Sequence, residues 1–187
     1  MPFSSAGEVH RSTVTGTRGM VASAHPQATL SGVRVLLDGG NAFDAIVAVA
    51  AALNVVEPYM SGIAGIGYAL VYSAEEGRVR TLDYCGRTPH LATADAFETN
   101  SLQEGGVTSC LVPGACGGWL ALHEKYGRMD RAAVFAPAIE LAEKGYALTV
   151  KNAKFMGDAM PRMRPTGARV IYSRGRSPMP GEILVQL

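Results

Sequence analysis

The spacing of apolar positions divides the chain into a few strongly patterned stretches. Met20–Ser23 is a short apolar run that reads as a strand. Leu30, Val33, Leu36 and Leu37 then recur at helical spacing, with Pro26 suited to the first helical position and Gly39-Gly40 to the stop. Asn41 is a good N-cap, and Asp44, three residues on, suits the positive end of a helix dipole. The helix this predicts, Ala42–Val56, is apolar on nearly every face and ends at Pro58. Such a helix is a buried central layer. A turn rich in glycine, Ser61–Gly67, leads into two candidate strands, Tyr68–Ser73 and Arg78–Tyr84, which the turn Ala74–Gly77 joins as a hairpin.

Beyond the hairpin the pattern weakens. Residues 85–106 read as irregular, with a short helix near Ala94–Asn100, and Val107–Val112 as a short strand. Ala115–Tyr126 reads as a helix with Trp119, Leu122, His123 and Tyr126 on one side. Gly117-Gly118 inside it costs about 1 kcal/mol per residue against alanine, which close packing would offset. Arg131–Lys144 reads as a helix restarting at Pro137 and capped by Gly145, and Thr149 caps a last helix to about Met160. The proline-containing remainder reads as loop. Together these elements predict one α/β layered domain over residues 1–187, with a loose segment at 1–17.

Composition narrows the function classes. The chain has 187 residues, 48% of them hydrophobic and 18% charged, with a formal net charge of +1. No overall field selects nucleic acid. The longest apolar run, Ala45–Leu53, is far short of the roughly 20 residues of a bilayer helix. Polar residues from Glu8 to Arg18 interrupt the first twenty, so no secretory leader is expected and the chain reads as cytoplasmic. The last stretch is basic (Lys151, Lys154, Arg162, Arg164, Arg169, Arg174, Arg176) but has no aromatic platform, so it reads as a solvated segment or one that docks on an acidic partner. Three cysteines, Cys85, Cys110 and Cys116, fit neither a disulfide framework nor a zinc site. Cys110 and Cys116 read as small buried thiols. No metal or cofactor is expected.

The candidate chemistry is sparse. The glycine turn runs helix, glycines, strand, which is the reverse of a phosphate loop, and no Gly-Lys-Ser/Thr follows it. It reads as a tight turn or as a backbone wall beside a site. No Gly-x-Ser-x-Gly motif occurs. His25 reads as a cap or a satisfied core histidine and His123 as packing, while His10 and His90 fall in loops. Asp83 and Arg87 bracket the end of the second strand, and Arg87 could clamp a carboxylate with its planar fork or form a surface ion pair.

Several dispersed motifs occur in one order. They are Gly19-Met20-Val21-Ala22-Ser23, His25-Pro26-Gln27-Ala28-Thr29, Gly39-Gly40-Asn41-Ala42-Phe43-Asp44-Ala45, Asn54-Val55-Val56-Glu57-Pro58 and Ser61-Gly62-Ile63-Ala64-Gly65-Ile66-Gly67. Val112-Pro113-Gly114, Tyr126-Gly127-Arg128, Pro137–Ala142 and Gly181–Gln186 continue the series. In this order and spacing the chain, over roughly residues 16–187, resembles the front part of the large subunit of the γ-glutamyltranspeptidase family. The resemblance implies an N-terminal-nucleophile hydrolase of the α+β class, the chain being part of a four-layer αββα sandwich. It also implies a precursor that cuts itself into two subunits and frees a threonine at the start of the small one.

That threonine would attack the substrate amide with its own α-amino group as base. The partner implied is the small subunit of the same precursor, in a heterodimer or a dimer of heterodimers, and the substrate is a small amide. No nucleic acid or membrane is implied. No Thr-Thr pair occurs in the chain, so the nucleophile is expected on the small subunit and this chain alone is expected to be inactive. Transpeptidases carry an Arg-Glu-x-x-Pro run whose arginine pairs with the substrate α-carboxylate. Here the run is Tyr84-Cys85-Gly86-Arg87-Thr88-Pro89, with Cys85 at the arginine position and Arg87 two residues later. Two extended residues span about 6–7 Å. Arg87 is thus the candidate anion clamp, with Tyr84, Cys85 and Gly86 shaping the pocket beside it. The acid it holds belongs to a γ-glutamyl group or a related one. The rival expectation is a stand-alone, non-catalytic relative that binds a small ligand or a partner protein.

Overall fold

The computed structural model describes residues 13–94, 97, 109–162 and 176–186. Five helices are described: α1 (Pro26–Leu37), α2 (Ala42–Val56), α3 (Ala115–Tyr126), α4 (Arg131–Lys144) and α5 (Val150–Ala159), the last followed by a 3₁₀ turn at Met160–Arg162. Strands β1 (Tyr68–Ser73) and β2 (Arg78–Asp83) pair antiparallel, from Tyr68 opposite Asp83 to Ser73 opposite Arg78. Strands β3 (Tyr146–Ala147) and β4 (Ile183–Leu184) form a second, minimal antiparallel pair.

Helix α2 is the axis of the packing. Its start is fixed by a capping box in which the Asn41 side chain accepts from the amides of Phe43 and Asp44, while the Asp44 carboxylate accepts from the Asn41 amide. Val47, Val49 and Val56 are fully buried, each contributing on the order of 1.5–3 kcal/mol. One core cluster joins Val49, Ala52 and Val56 to α4, α5 and the β3–β4 pair; the other joins Val47 and Ala48 to Val35, Trp119, Leu122 and Val134. The hairpin leans on the second cluster through Val71 and Leu82.

Several expectations are corrected. Met20–Ser23 joins no ladder among the described residues; Val21 instead packs on the first core cluster. The expected strand at Val107–Val112 lies partly outside the described residues, and 109–112 carry no strand. Most of the expected Ala94–Asn100 helix lies outside them too, as does most of the loose 1–17 segment. Strand β2 ends at Asp83 rather than Tyr84 because Asp83 Oδ1 accepts from the Cys85 amide at 2.8 Å and turns the chain. Pro137 lies within an unbroken α4. The remainder is not all loop, since Ile183–Leu184 is a strand. In α1 the buried face is Ala28, Ser31, Gly32 and Val35, while Leu30 and Leu37 are exposed, because close approach to α2 selects small side chains. Cys110 is exposed and Cys116 half-buried; neither is a core thiol.

One ionic tie carries a pH signature. Glu76 Oε2 accepts from Arg80 at 2.7 Å and Arg78 at 3.1 Å, and Tyr126 donates to its other oxygen at 3.2 Å. Arg80, then Arg78, hold its carboxyl down to about 2. A depressed carboxylate pKa stabilises the fold fully above the ordinary value and loses that contribution as pH falls through the folded value. The link between hairpin and α3 is therefore expected to persist at pH 4 and to loosen towards pH 2. The Glu76 carboxyl carbon resonance should titrate with a midpoint near 2, and a midpoint near the ordinary carboxylate value would show that the tie does not form in solution.

Candidate functional site

Three backbone segments meet at one end of the hairpin. The first is the glycine turn, whose Gly65 carbonyl accepts from the amides of Gly114 and Ala115 at 3.0 and 2.9 Å. The second is the start of α3 and the residues before it, 112–118. The third is the stretch leaving β2, Tyr84–Arg87, which lies between the other two. Its Tyr84 amide donates to the Gly67 carbonyl at 3.1 Å, and its Arg87 carbonyl accepts from the Val112 amide at 3.1 Å.

Missing side chains make this fit possible. A Cβ on Gly67 would stand 2.8 Å from the Tyr84 ring, and one on Gly118 would overlap the base of the same ring. The ring thus lies across two glycines from distant segments, and its hydroxyl donates to the Tyr68 carbonyl at 3.4 Å. A Cβ on Gly114 would strike the Tyr84 carbonyl. Tyr84 and Trp119 also line a cavity of about 630 Å³ between α2 and the glycine turn, together with Asn54, Tyr59 and Ser61.

The four residues singled out in the sequence are therefore together, but in unequal settings. Arg87 is exposed, and among the described residues no carboxylate pairs with it. Cys85 is half-buried. Hydrogen bonding to the Cys85 side chain, followed by the charge of Asp83, pushes the Tyr68 phenol above its ordinary range. Position 85 consequently offers a thiol beside a neutral phenol and no cation. Gly86 backs onto Val112.

The two central histidines are structural, as expected. His25 caps α1: its Nδ1 accepts from the Gln27 amide at 3.2 Å, and its Nε2 lies 3.1 Å from the buried Asn152 Oδ1. His123 Nε2 lies 3.0 Å from the Met129 carbonyl. His90 is exposed, and His10 lies outside the described residues. Among the described residues no group of three or more His, Cys, Asp or Glu could hold a metal ion, and no helix is long and apolar enough to cross a membrane. Sequence reasoning offered the glycine turn that ends at Gly67 as a backbone wall beside a site, but it missed Gly114 and Val112 as parts of the candidate site. It found that Gly118 needs a close neighbour but not that the neighbour is Tyr84.

Comparison with known proteins gives the family. The family model described as Gamma-glutamyltranspeptidase matches residues 28–187. The Glutathione hydrolase-like YwrD proenzyme of Bacillus subtilis (strain 168) is 36% identical over 93% of this chain and 34% of its own length. The Acylase ACY 1 proenzyme of Pseudomonas sp. (strain V22) is 38% identical over 92% of this chain and 33% of its own. The crystal structure of Helicobacter pylori gamma-Glutamyltranspeptidase superposes with a TM-score of 0.87 at 33% identity, covering 94% of this chain and 52% of that one. The chain thus spans about a third of the length of the curated relatives it matches. The crystal structure of cephalosporin acylase from Bacillus halodurans superposes with a TM-score of 0.85 at 34% identity, covering 98% of this chain and 36% of that one, and the chain shares its α+β fold with both structures. With motif order, fold and family model in agreement, the chain belongs to the γ-glutamyltranspeptidase family.

Proposed function

We propose that this chain forms the front portion of the large subunit of an amide hydrolase or acyltransferase. Its substrates carry an acid group on the acyl side, γ-glutamyl or related. The nucleophile is the N-terminal threonine of a small subunit released from the same precursor. The threonine hydroxyl attacks the amide carbonyl, and its own α-amino group takes the hydroxyl proton and passes it to the leaving amine. Backbone amides hold the oxyanion. Water or an acceptor amine then takes the acyl group and regenerates the threonine. In this reading Arg87 holds the acid group, and Tyr84, Cys85 and Gly86 form the wall beside it. The chain alone is inactive.

The observation that carries the reading is the Arg87 guanidinium, exposed and without a described carboxylate partner, at the end of a stretch clamped between the glycine turn and α3. The relatives named as proenzymes support a second chain and weigh against a stand-alone binding protein. The exposed apolar outer face of the hairpin, with Tyr68, Leu70 and Tyr72 each more than 60% accessible, supports a further layer of the sandwich packing there.

The product of the complete gene, analysed by intact mass and N-terminal sequencing, is expected to show a second chain beginning with threonine. A single unprocessed polypeptide that turns over no amide would overturn the proposal. In the processed enzyme Arg87→Ala is expected to raise KM for acid-bearing amides about 10–100-fold with little change in kcat, the loss of a charge-assisted pair of about 1.4–2.7 kcal/mol. Unchanged kcat/KM across such substrates would sink the clamp. Cys85→Arg is expected to shift preference towards γ-glutamyl amides, because it puts a cation at the position where transpeptidases carry one.

A further inference from the structure

We infer that Gly86 is a specificity-determining residue: lacking a Cβ, it lets the stretch 84–87 lie against the backbone of Val112 and so fixes where the Arg87 guanidinium stands. The inference rests on the reading of Arg87 as the anion clamp.

A Cβ on Gly86 would fall on the Val112 carbonyl oxygen, 2.6 Å from its carbonyl carbon and 3.1 Å from its nitrogen. All three are main-chain atoms, so no rotamer change relieves the overlap. Neither side can yield easily. Val112 donates its amide to the Arg87 carbonyl, and Gly114, two residues on, is bonded to the glycine turn at Gly65. On the other flank Tyr84 is bonded to Gly67 and its ring is held across Gly67 and Gly118. Any residue with a Cβ at 86 must therefore lift the stretch off Val112 and break the bond that anchors Arg87. Position 86 acts on substrate only through Arg87. It is a positioning residue that decides which acyl groups are accepted: those whose carboxylate reaches the guanidinium where this backbone path puts it.

The test is a double-mutant cycle in the complete, processed enzyme with two probes, γ-glutamyl-p-nitroanilide and butyryl-p-nitroanilide, which lacks the acid group. Gly86→Ala is expected to raise KM for the acid-bearing amide tenfold or more, with kcat within about threefold and the neutral amide unaffected. In an Arg87→Ala background the same change is expected to add less than twofold, because the clamp it would displace is already gone. Equal effects of Gly86→Ala in both backgrounds, or equal losses on both amides, would overturn the inference. So would a wild-type KM in Gly86→Ala alongside a raised KM in Arg87→Ala, a pattern that leaves the clamp standing. A wild-type KM in Arg87→Ala would remove the clamp itself. Should Gly86→Ala fail to process, hydrogen exchange in the wild-type enzyme decides: the Val112 amide is expected to be protected, and exchange at the free-peptide rate would overturn the path on which the inference depends.

Discussion

Replacing Asp44 with alanine is expected to destabilise the protein by about 3–5 kcal/mol, the scale for stripping a buried hydrogen-bonded carboxylate from its donors. Asp44 is fully buried at the first turn of α2. Its Oδ2 accepts from the Asn41 amide at 2.9 Å, and its two oxygens accept from the Arg128 amide at 3.0 and 3.1 Å. The Met129 amide stands 3.4 Å away and His123 Nε2 3.5 Å away. One carboxylate thus closes the N-terminus of the central helix and holds the loop between α3 and α4. Alanine removes the acceptor from at least two main-chain amides, those of Asn41 and Arg128. Asp44→Asn keeps one acceptor oxygen but turns an NH₂ towards those amides, so roughly half the loss is expected. The check is urea unfolding of the full-length protein. Unfolding free energies within about 0.5 kcal/mol of the parent for both variants would show that the loop finds other acceptors.

The same residue shows why much of the fold is legible in the sequence. Asn41 and Asp44 are three positions apart, and their interaction is local, so the start of α2 follows from spacing alone. Thr149 marks the start of α5 in the same way, where the structure adds Asn152 to the capping box, and Gly145, at φ +80°, marks the end of α4. What local spacing cannot supply is the partner. Met20–Ser23 has strand chemistry but no ladder among the described residues, whereas Ile183–Leu184 has little signal and becomes a strand only because Tyr146–Ala147 lies alongside. Hydrophobicity also misassigns the face of α1, where Leu30 and Leu37 are exposed and Ser31 and Gly32 face the core. The candidate site divides along the same line. Arg87 is legible from its place just past a strand. The bed on which it is held is not, because Gly67, Val112, Gly114 and Gly118 come from segments that only the fold brings together.

Two neighbouring glycines turn that bed into a measurement. Gly117 and Gly118 both sit inside α3, where alanine is favoured over glycine by about 1 kcal/mol. A Cβ on Gly117 meets nothing within 4 Å, so Gly117→Ala is expected to stabilise by up to about 1 kcal/mol. A Cβ on Gly118 overlaps Tyr84 Cγ and stands 2.5 Å from its Cδ1 and 2.6 Å from its Cβ. The ring cannot swing aside at its tip, because Gly67 is there, and its Cβ is fixed by the backbone bond to the Gly67 carbonyl. Overpacking of this kind costs about 1–3 kcal/mol. Gly118→Ala is thus expected to destabilise despite the same gain in helix propensity, and the two variants should move unfolding midpoints in opposite directions. The displaced Tyr84 should also shift Arg87, so the destabilised variant is the one expected to raise KM for acid-bearing amides. If both alanines stabilised, the Tyr84 ring would not be held between the helix and the glycine turn, and the structural support for Arg87 as a fixed clamp would go with it.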